Sequence, residues 1–444
     1  MTNSRTEIPL SIPSENAWQP PEIKSLEDTG LDVGFLQDMI LKVMYFRGQI
    51  TGHEIAEQLR LPFQSVLAPI MDFIKREQMC EVKGSGGLGA GSYQYMITSK
   101  GSARAREQLE RTAYVGVAPV PWDEYIEAMK AQGRQKVMVT PTTMKQALSH
   151  LILEESVFER IGPAVNSGKS IFLYGPPGNG KTTIAESIGQ MILQGDMYIP
   201  YSVIVEGQIV KVYDEISHQI VPDENNGKRT IAGTSTLGRF SDRRWLHIRR
   251  PVIMVGGELT LEGLELVYDT TNKYYEAPYQ MKANGGMFLI DDFGRQQIRP
   301  RDLLNRWIVP MEKQIDFLSL HTGSKMEVPF EVLIVFSTNL PPRDLVDEAF
   351  LRRIRHKIEI TSPTFDGYRE IFKRMAKRRN IAYDEQAIVY LLQEHYIKKN
   401  RKLRANHPRD LLEQIADIAA YLGIPSRLNQ EMIDRAAAAY FVEL

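Results

Sequence analysis

Apolar residues along this chain follow two patterns: short continuous runs and longer stretches with helical spacing. The runs at 171–174, 287–290 and 332–336 have strand length and no polar alternation, which is typical of strands buried on both faces of a parallel sheet. Stretches such as 183–192 carry apolar residues at helical spacing. Together the two patterns predict an α/β fold built on a buried parallel sheet.

The segment 31–111 has a different order of elements. Its pattern predicts three helices, two strands around the glycine-rich stretch 84–91 and a further helix, which is the order of a winged helix-turn-helix. Thr51 is the predicted N-cap of the second helix, with Glu54 at the capping-box position, and Pro62 opens the third helix. We therefore expect an N-terminal α+β domain that is winged-helix-like.

The predicted third helix, 63–77, bears on whether this domain binds nucleic acid. Its cations, Lys75 and Arg76, come late, whereas base contacts normally come from early in such a helix. Pro69 also interrupts the helical pattern. Binding to a nucleic-acid backbone needs several cations along one face. The sequence therefore favours a role of this domain in protein contact or packing, with nucleic-acid binding as the second interpretation.

Length and composition bound the remaining possibilities. A chain of 444 residues is expected to form roughly two to four domains. Its 54 Lys and Arg balance 55 Asp and Glu, so no overall charge draws it to nucleic acid or to an anionic membrane. Cys80 is the single cysteine, no signal segment opens the chain and no apolar run approaches the ~20 residues of a bilayer span, which together predict a cytoplasmic protein.

Two segments carry little information about the fold. Residues 1–30 are rich in Pro, Ser and Glu and are expected to form a flexible arm, and 112–136 are expected to be a connector with a short helix. Thr140 is the predicted cap of a helix that opens the next domain near residue 137.

Residues 175–182 carry the most specific pattern in the chain. Their sequence, Gly-Pro-Pro-Gly-Asn-Gly-Lys-Thr, fills every fixed position of the phosphate-binding pattern G-x-x-x-x-G-K-[ST], between a predicted strand and a predicted helix. The glycines let backbone N–H groups point at phosphate oxygens, and the helix N-terminus adds its positive dipole. Lys181 would reach the β- and γ-phosphates, and the Thr182 hydroxyl would bind Mg²⁺. The predicted nucleotide-binding residues are Gly175, Pro176, Pro177, Gly178, Asn179, Gly180, Lys181, Thr182 and Thr183.

Two further predicted strands end in polar residues. Asp291 and Asp292 directly follow the run 287–290, where the first would support Mg²⁺ and the second would polarise the attacking water. Asn339 follows the run 332–336 and would contact the γ-phosphate or its water. Taken alone, an Asn at the end of a strand is more often a cap.

Arginines follow the predicted sheet. Arg352 and Arg353 come after its strands, and Arg409 begins a helix within 406–411. A guanidinium group suits the charge spread over a transferring phosphoryl group. Taken alone, an arginine on a solvated face is the commoner interpretation.

The order of these features resembles that of AAA+ ATPases, in which they correspond to Walker A, Walker B, sensor 1, the arginine finger and sensor 2. The resemblance covers about 137–444. It implies a P-loop αβα sandwich over 137–364, followed by a helical lid over 365–444. The lid helices are predicted at 370–377, 385–395, 410–422 and 430–441.

The resemblance also implies the roles of the polar residues. ATP with Mg²⁺ would be hydrolysed between subunits, with Asp292 and Asn339 orienting the water. Arg353 would act on nucleotide held by the neighbouring subunit, and Arg352 is the second choice for that role. Arg409 would report the nucleotide state to the lid of its own subunit.

The chain departs from the AAA+ pattern in two places. The family usually has Asp-Glu where this chain has Asp291 and Asp292, so the shorter carboxylate must reach its water across a longer gap. Hydrolysis is then slow unless the backbone compensates. Lys181 and Asp291 are also 110 positions apart, well beyond the ~30 residues of a βαβ unit. A β-rich insertion is therefore expected at about 200–284.

The insertion has three recognisable parts. Its middle, including 252–255 and 265–268, has β character, and 223–229 is expected to be a turn or mobile loop. A cluster of tyrosines is interpreted as packing inside an inserted sheet, with a surface that grips a substrate as the alternative. Its members are Tyr268, Tyr274, Tyr275 and Tyr279.

Residues 316–329 predict two short strands around a Thr-Gly-Ser-Lys turn, just before the strand that ends at Asn339. This resembles the pre-sensor-1 hairpin of the AAA+ branch that includes MoxR-type chaperones, chelatase subunits, replicative helicases and enhancer-binding transcription activators. In such rings the hairpin faces the central pore. The loop motif of the transcription activators is absent from the nearest stretch, 231–236, which disfavours that subclass.

The sequence as a whole favours an ATP-hydrolysing AAA+ protein that forms a homo-oligomeric ring, expected to be a hexamer, and remodels a protein target as a chaperone does. A DNA-binding motor or initiator that uses the winged helix is the first alternative. A nucleotide-gated assembly switch with slow hydrolysis is the second, because Asp292 stands in place of the usual Glu.

Overall fold

The structure is a computed structural model that describes residues 18–87, 89–133, 138–222, 241–345 and 351–441. The predicted loop 223–229, the stretch 231–236 and position 88 of the glycine-rich turn lie outside the described residues.

The N-terminal domain combines helices with a small antiparallel sheet. Its elements are Val33–Arg47 (α1), Gln49–Thr51 (β1), Gly52–Leu59 (α2), Ala68–Arg76 (α3), Cys80–Ser85 (β2), Tyr93–Ile97 (β3) and Ser99–Arg111 (α4). Strand β3 lies between β1 and β2, antiparallel to both. The Thr51 hydroxyl accepts a hydrogen bond from the backbone of Glu54, whose carboxylate accepts one from the backbone of Thr51, so the predicted capping box is confirmed. The winged-helix assignment itself stays a prediction.

The third helical segment of this domain starts differently from the prediction. Residues Phe63–Leu67 form a π-helical turn, and α3 follows with Pro69 in its first turn. A proline there removes no helical hydrogen bond, because the first N–H groups of a helix have no partner within it. Pro69 therefore begins α3 rather than interrupting it.

The described part of the N-terminal arm is packed, which corrects the expectation of a flexible arm over 1–30. The ring of Trp18 lies edge-on to that of Trp245, with centroids 4.9 Å apart, and Ile23 is buried. Proline-rich composition did not reveal this, because proline also suits extended segments that lie on a folded surface. Residues 1–17 lie outside the described part.

The middle of the chain alternates strands and helices. Its elements are Val120–Pro121 (β4), Trp122–Gly133 (α5), Pro141–Ala147 (α6), Glu155–Ser167 (α7), Ser170–Tyr174 (β5), Lys181–Ile192 (α8), Asp196–Pro200 (β6), Ser202–Val205 (β7), Gln208–Lys211 (β8), Trp245–Arg249 (β9), Val252–Val255 (β10), Val267–Asp269 (β11), Tyr274–Glu276 (β12), Tyr279–Lys282 (α9), Met287–Ile290 (β13), Pro300–Lys313 (α10), Ile315–Ser319 (β14), Lys325–Pro329 (β15), Leu333–Thr338 (β16), Pro342–Leu345 (α11) and His356–Glu359 (β17). As predicted, the Thr140 side chain caps α6.

Five of these strands form a parallel sheet in the order β10, β13, β16, β5, β17. Both of its faces are covered. Ile171 and Leu173 of β5 join a core that includes Ile184 of α8, whereas Phe172 between them joins a core with Trp307 of α10 on the other face. The predicted α/β sandwich is therefore confirmed, and burial on both faces explains why its strands are continuous apolar runs.

The insertion contains fewer strands than predicted, and a strand from outside it joins its sheet. Residues 252–255, expected in its middle, form β10 at the edge of the central parallel sheet, beside β13. The inserted strands instead build a second sheet in the order β11, β12, β8, β7, β4, so the connector supplies its edge strand. A run as short as β10 has no signal that tells which of two sheets it joins.

The tyrosine cluster packs inside the protein, in agreement with the interpretation that it forms part of the packing of an inserted sheet. Tyr275 is 1% exposed, and the ring of Tyr268 stacks on His321 with centroids 4.4 Å apart. Tyr274 packs edge-on against Tyr114 of the segment after α4. These contacts tie the inserted sheet to its neighbours and leave little of the cluster free to grip a substrate.

Strands β14 and β15 form the predicted antiparallel hairpin directly before β16. One face of the hairpin is buried through Leu318, Met326 and Val328, which share a core with the inserted sheet. The residue at its tip, His321, contacts the Tyr275 hydroxyl. The hairpin is thus packed along one side, and its outer face carries the half-exposed ring of Phe317.

The C-terminal domain is helical. Its elements are Phe365–Arg378 (α12), Glu385–Tyr390 (α13) with the π-helical continuation Leu391–Ile397, His407–Leu422 (α14) and Gln430–Tyr440 (α15). The four predicted helices are all present, with a core of their own built around Tyr368, Phe372 and Leu412. In the part of the chain that the structure describes, no helix has the length and apolar character needed to cross a membrane.

Candidate nucleotide-binding site

The candidate polar residues meet at one edge of the parallel sheet. Strands β5, β16 and β13 are neighbours and run the same way, so the segments that follow them leave the sheet side by side. The phosphate-loop residues follow β5, Asn339 follows β16, and Asp291 and Asp292 follow β13. Ligands of open α/β sheets bind at this carboxyl edge, and the structure brings the predicted residues together there.

The loop 175–180 has the curled backbone that a phosphate-binding loop needs. Gly175, Gly178 and Gly180 all have positive φ, at +139°, +80° and +83°. At Gly175 a Cβ atom would lie 2.3 Å from the backbone oxygen of Ile360, so a larger residue does not fit there. The helix α8 begins at Lys181, directly after the loop, with its free N–H groups at the loop.

Lys181 is held by the loop itself. Its Nζ donates hydrogen bonds to the backbone oxygens of Gly175 at 3.0 Å and Pro176 at 2.9 Å, and the residue is only 5% exposed. Burial lowers the pKa of this ammonium below its ordinary value, while Asp292 and Asp291 oppose that shift. A cation buried beside neutral carbonyls is poised for an anionic partner such as a phosphate.

Thr182 and Asp291 are in direct contact. The Thr182 hydroxyl lies 3.1 Å and 3.0 Å from the two carboxylate oxygens of Asp291 and donates to them. One hydroxyl and one carboxylate, completed by phosphate oxygens and water, are the protein ligands that Mg²⁺ takes in nucleotide sites. These two residues therefore fit the predicted metal site.

Asp292 faces Asn339. The amide Nδ2 of Asn339 donates to a carboxylate oxygen of Asp292 at 3.0 Å, so the predicted base and the predicted water-orienting amide form one unit. Asp292 has φ of +47°, the left-handed region, in which Asp is tolerated better than most side chains. This turn at the end of β13 points the two adjacent aspartates at different partners.

These residues line a cleft of about 560 Å³ between the sheet edge and the helical domain. The volume lies within the ~300–1,000 Å³ typical of small-molecule sites. Part of its lining is polar and includes the phosphate loop, Asp292 and Asn339, and Arg409 of α14 also lines the cleft. Arg409 donates to Asp410 at 2.8 Å, and more than half of its side chain is exposed.

Another part of the lining is apolar and was not predicted from the sequence. It is formed by residues 151–153 and by Ile371 and Met375 of α12. Arg374 and Arg378 of the same helix also line the cleft. The two arginines are four residues apart, which puts them on one face of the helix. This spacing is visible in the sequence but indicates no particular partner.

Arg352 and Arg353 do not reach this cleft. They precede β17, whose first residue His356 pairs with Ile171 near the start of β5, so they lie at the amino edge of the sheet, opposite the phosphate loop. Arg353 is paired with Glu312 of α10, while Arg352 is exposed. Within the described residues, the two arginines are thus separated from this cleft of their own chain by the height of the sheet.

A family model described as a domain of unknown function (DUF8689) matches residues 364–439. A comparison with curated proteins gave no match.

Among solved structures, the chain is similar to the A156S mutant of RuvB from Thermotoga maritima, at 13% identity and a TM-score of 0.39 over 67% of this chain and 72% of that one. It is also similar to NtrX from Brucella abortus, at 13% identity and a TM-score of 0.36 over 70% and 57% of the two chains. A third similar structure is the T. maritima RuvB Holliday junction branch migration motor, at 13% identity and a TM-score of 0.36 over 64% of this chain and 69% of that one. The family model that matches residues 364–439 covers the helical domain, from α12 to α15.

Proposed function

We propose that this protein binds ATP with Mg²⁺ and hydrolyses it as an AAA+ ATPase, in a homo-oligomeric ring that remodels a protein target. The observation that carries the proposal is the contact between Thr182 and Asp291 beside the buried Lys181. Two segments that are far apart in sequence supply these groups: Lys181 and Thr182 give the ammonium and the hydroxyl, and Asp291 gives the carboxylate that a Mg²⁺–triphosphate requires.

The roles of the remaining groups follow from their positions in the cleft. Mg²⁺, when bound, neutralises charge on the β- and γ-phosphates. Lys181 exchanges its loop carbonyls for phosphate oxygens, and the loop N–H groups hold the phosphate chain. Asp292 accepts a proton from the attacking water, which Asn339 helps to orient. The apolar part of the lining, formed by residues 151–153 with Ile371 and Met375, accommodates the base.

The position of Arg353 supports assembly. A guanidinium that stabilises the transferring phosphoryl group must touch it, and Arg353 lies at the opposite edge of the sheet from the phosphate loop of its own chain. It acts on nucleotide only when a second copy presents its cleft to that edge. This is the arrangement of a ring, for which a hexamer is the expected size.

The surface of the N-terminal domain favours a protein target over nucleic acid. Exposed cations on α3 are Lys75 and Arg76 in its last turn, and its exposed face also carries Asp72. Such a face offers no row of cations to follow a phosphate backbone. DNA binding is the alternative that the following experiment separates.

The test is the mass of the protein in solution with and without ATP, measured for wild type and Asp292→Ala together with phosphate release. We expect a nucleotide-dependent ring, with turnover in the wild type and none in the variant. A monomer that binds ATP without assembling would refute the ring and the role of Arg353. Binding to random duplex DNA that weakens steeply with salt would replace the protein target by nucleic acid.

A further inference from the structure

One side chain of the phosphate loop is directed to the helical domain. Asn179 is 4% exposed, its Oδ1 accepts a hydrogen bond from the backbone N–H of Ala405 at 3.2 Å, and its Nδ2 donates to the hydroxyl of Ser362 at 3.4 Å. Ala405 belongs to the segment that leads into α14, and Ser362 to the segment that joins β17 to α12. One amide thus connects the loop to both the helical domain and the segment that leads into it.

The neighbouring residue adds a second connection. The backbone N–H of Asn406 donates to the backbone oxygen of Gly178 at 2.8 Å. A Cβ atom on Gly178 would lie 2.2 Å from Oδ1 of Asn406, so the two segments are in close contact, and the φ of +80° also favours glycine there. The Nδ2 of Asn406 donates to Asp410 at 2.8 Å and lies 3.3 Å from the hydroxyl of Tyr440. Asn406 therefore carries the contact into α14 and α15.

We propose that Asn179 is a positioning residue that couples occupancy of the phosphate loop to the position of the helical domain; the nucleotide part of this rests on the function proposed above. In the structure, Lys181 is bonded to the carbonyls of Gly175 and Pro176. A triphosphate in the loop takes over Lys181 and the loop N–H groups, which changes the hydrogen bonding of the segment just before Gly178. Because Gly178 and Asn179 hold Ala405 and Asn406, that change reaches the start of α14, the helix that carries Arg409.

The test uses hydrogen exchange of the full-length protein over residues 403–422, without nucleotide and with ADP and Mg²⁺. In the wild type we expect ADP to change the exchange of this segment. In Asn179→Ala, loss of the bond to Ala405 should speed exchange of the segment about fivefold in the absence of nucleotide, and ADP should no longer change it. Binding of ADP should persist within a few-fold, with kcat rather than affinity reduced.

Two comparisons make the result specific. Glu186→Gln changes an exposed residue of α8, the helix that follows the loop, and should leave the exchange of 403–422 as in wild type. Ser362→Ala removes only the longer bond and should give a smaller effect in the same direction.

The proposal is overturned if Asn179→Ala keeps wild-type exchange in both states. It is equally overturned if Asn179→Ala loses ADP binding as completely as Lys181→Ala, since Asn179 would then act on the nucleotide itself. If the wild type does not bind ADP, the proposed function fails instead, while the nucleotide-free exchange still decides whether Asn179 holds the helical domain.

Discussion

Arg353 donates its Nε–H to a carboxylate oxygen of Glu312 across 2.6 Å, at the edge of the parallel sheet opposite the phosphate loop. Glu312 lies in the last turn of α10, the next helix along the chain after Asp291 and Asp292. The pair is partly exposed, so it contributes little to stability. Its consequence is geometric, because it holds the guanidinium at a surface where a second copy could place its nucleotide.

Arg353→Ala should leave nucleotide affinity unchanged and lower turnover about a thousandfold or more, the scale of an arginine that stabilises the transition state. Phosphate release and equilibrium ATP binding, measured on the same preparation, check this. Arg352→Ala is the matched control and should keep most of the activity. Mixing Arg353→Ala with Lys181→Ala should restore part of the turnover, since some interfaces then combine an intact loop with an intact arginine. Normal hydrolysis by Arg353→Ala would show that the interface role is wrong.

Lys181 and Asp291 should be separable by their dependence on Mg²⁺. Lys181→Ala removes a charged donor to the phosphates and should weaken ATP binding about a hundredfold or more, with Mg²⁺ or with a chelator. Asp291→Asn should weaken binding only when Mg²⁺ is present, because its partner is the metal held with Thr182. Titrating ATP in both conditions provides the measurement. An equal loss in both conditions for Asp291→Asn would argue against the metal site.

Asp292→Asn removes the candidate base while keeping the size of the side chain. We expect kcat to fall at least about a hundredfold with ATP affinity preserved, as for loss of a general base. Asn339→Ala, which removes the hydrogen-bond partner of Asp292, should have a smaller effect on kcat. Single-turnover hydrolysis distinguishes the chemical step from product release. Unchanged single-turnover rates for Asp292→Asn would assign the base elsewhere.

Much of the central domain could be predicted from sequence because its strands are buried on both faces and residues 175–182 fill every fixed position of the phosphate-binding pattern. Asp291, Asp292 and Asn339 were predictable for the same reason, since each ends such a strand. What could not be predicted depends on tertiary packing. Strand β10 is too short to show which sheet it joins.

The arm around Trp18 and the apolar part of the cleft lining are further examples. The composition of the arm is that of a disordered segment, yet Trp18 docks on Trp245. The spacing of Arg374 and Arg378 is typical of any solvated helix face. Only the folded structure shows that both residues line the cleft. The direction of the Asn179 side chain likewise depends on where the helical domain sits.

Lys42 is a buried cation in the N-terminal domain, 2% exposed, whose Nζ donates to the backbone oxygen of Thr112 at 3.3 Å. Burial lowers its pKa from 10.5 to about 8, with Asp38 opposing the shift. The unfolded chain therefore takes up this proton first as pH falls from about 10.5, and stability drops until the folded state is also protonated, near pH 8.

Lys42→Met should accordingly stabilise the domain at pH 7, by up to about 3 kcal/mol. It should also remove the rise in stability between pH 8 and 10 that Lys42 causes in the wild type. Hydrogen exchange of α1, corrected for the intrinsic effect of pH, measures both. A variant that is less stable than wild type at pH 7 would mean that the ammonium is better solvated than its burial indicates.

His407, the first residue of α14, is a buried histidine that we expect to make the helical domain sensitive to acid. It is 7% exposed, and its Nδ1 lies 2.8 Å from the hydroxyl of Tyr396, which in turn contacts that of Tyr368 at 2.8 Å. Burial lowers the pKa of His407 from 6.5 to about 4, aided by Arg404, with Asp410 opposing. The neutral ring is thus the form that the folded domain accepts.

Because the folded pKa lies below the unfolded one, the stability that His407 contributes is complete above about pH 6.5 and is lost as pH falls toward 4, to a total of as much as about 3 kcal/mol. Hydrogen exchange of α12 and α14 between pH 7 and 4.5 should show this loss in the wild type. His407→Asn, which keeps a hydrogen-bonding side chain but does not titrate, should flatten the profile. Since α14 also carries Arg409, ATP turnover should decline over the same pH range in the wild type and less steeply in the variant. Parallel pH profiles for the two proteins would assign the acid sensitivity to another group.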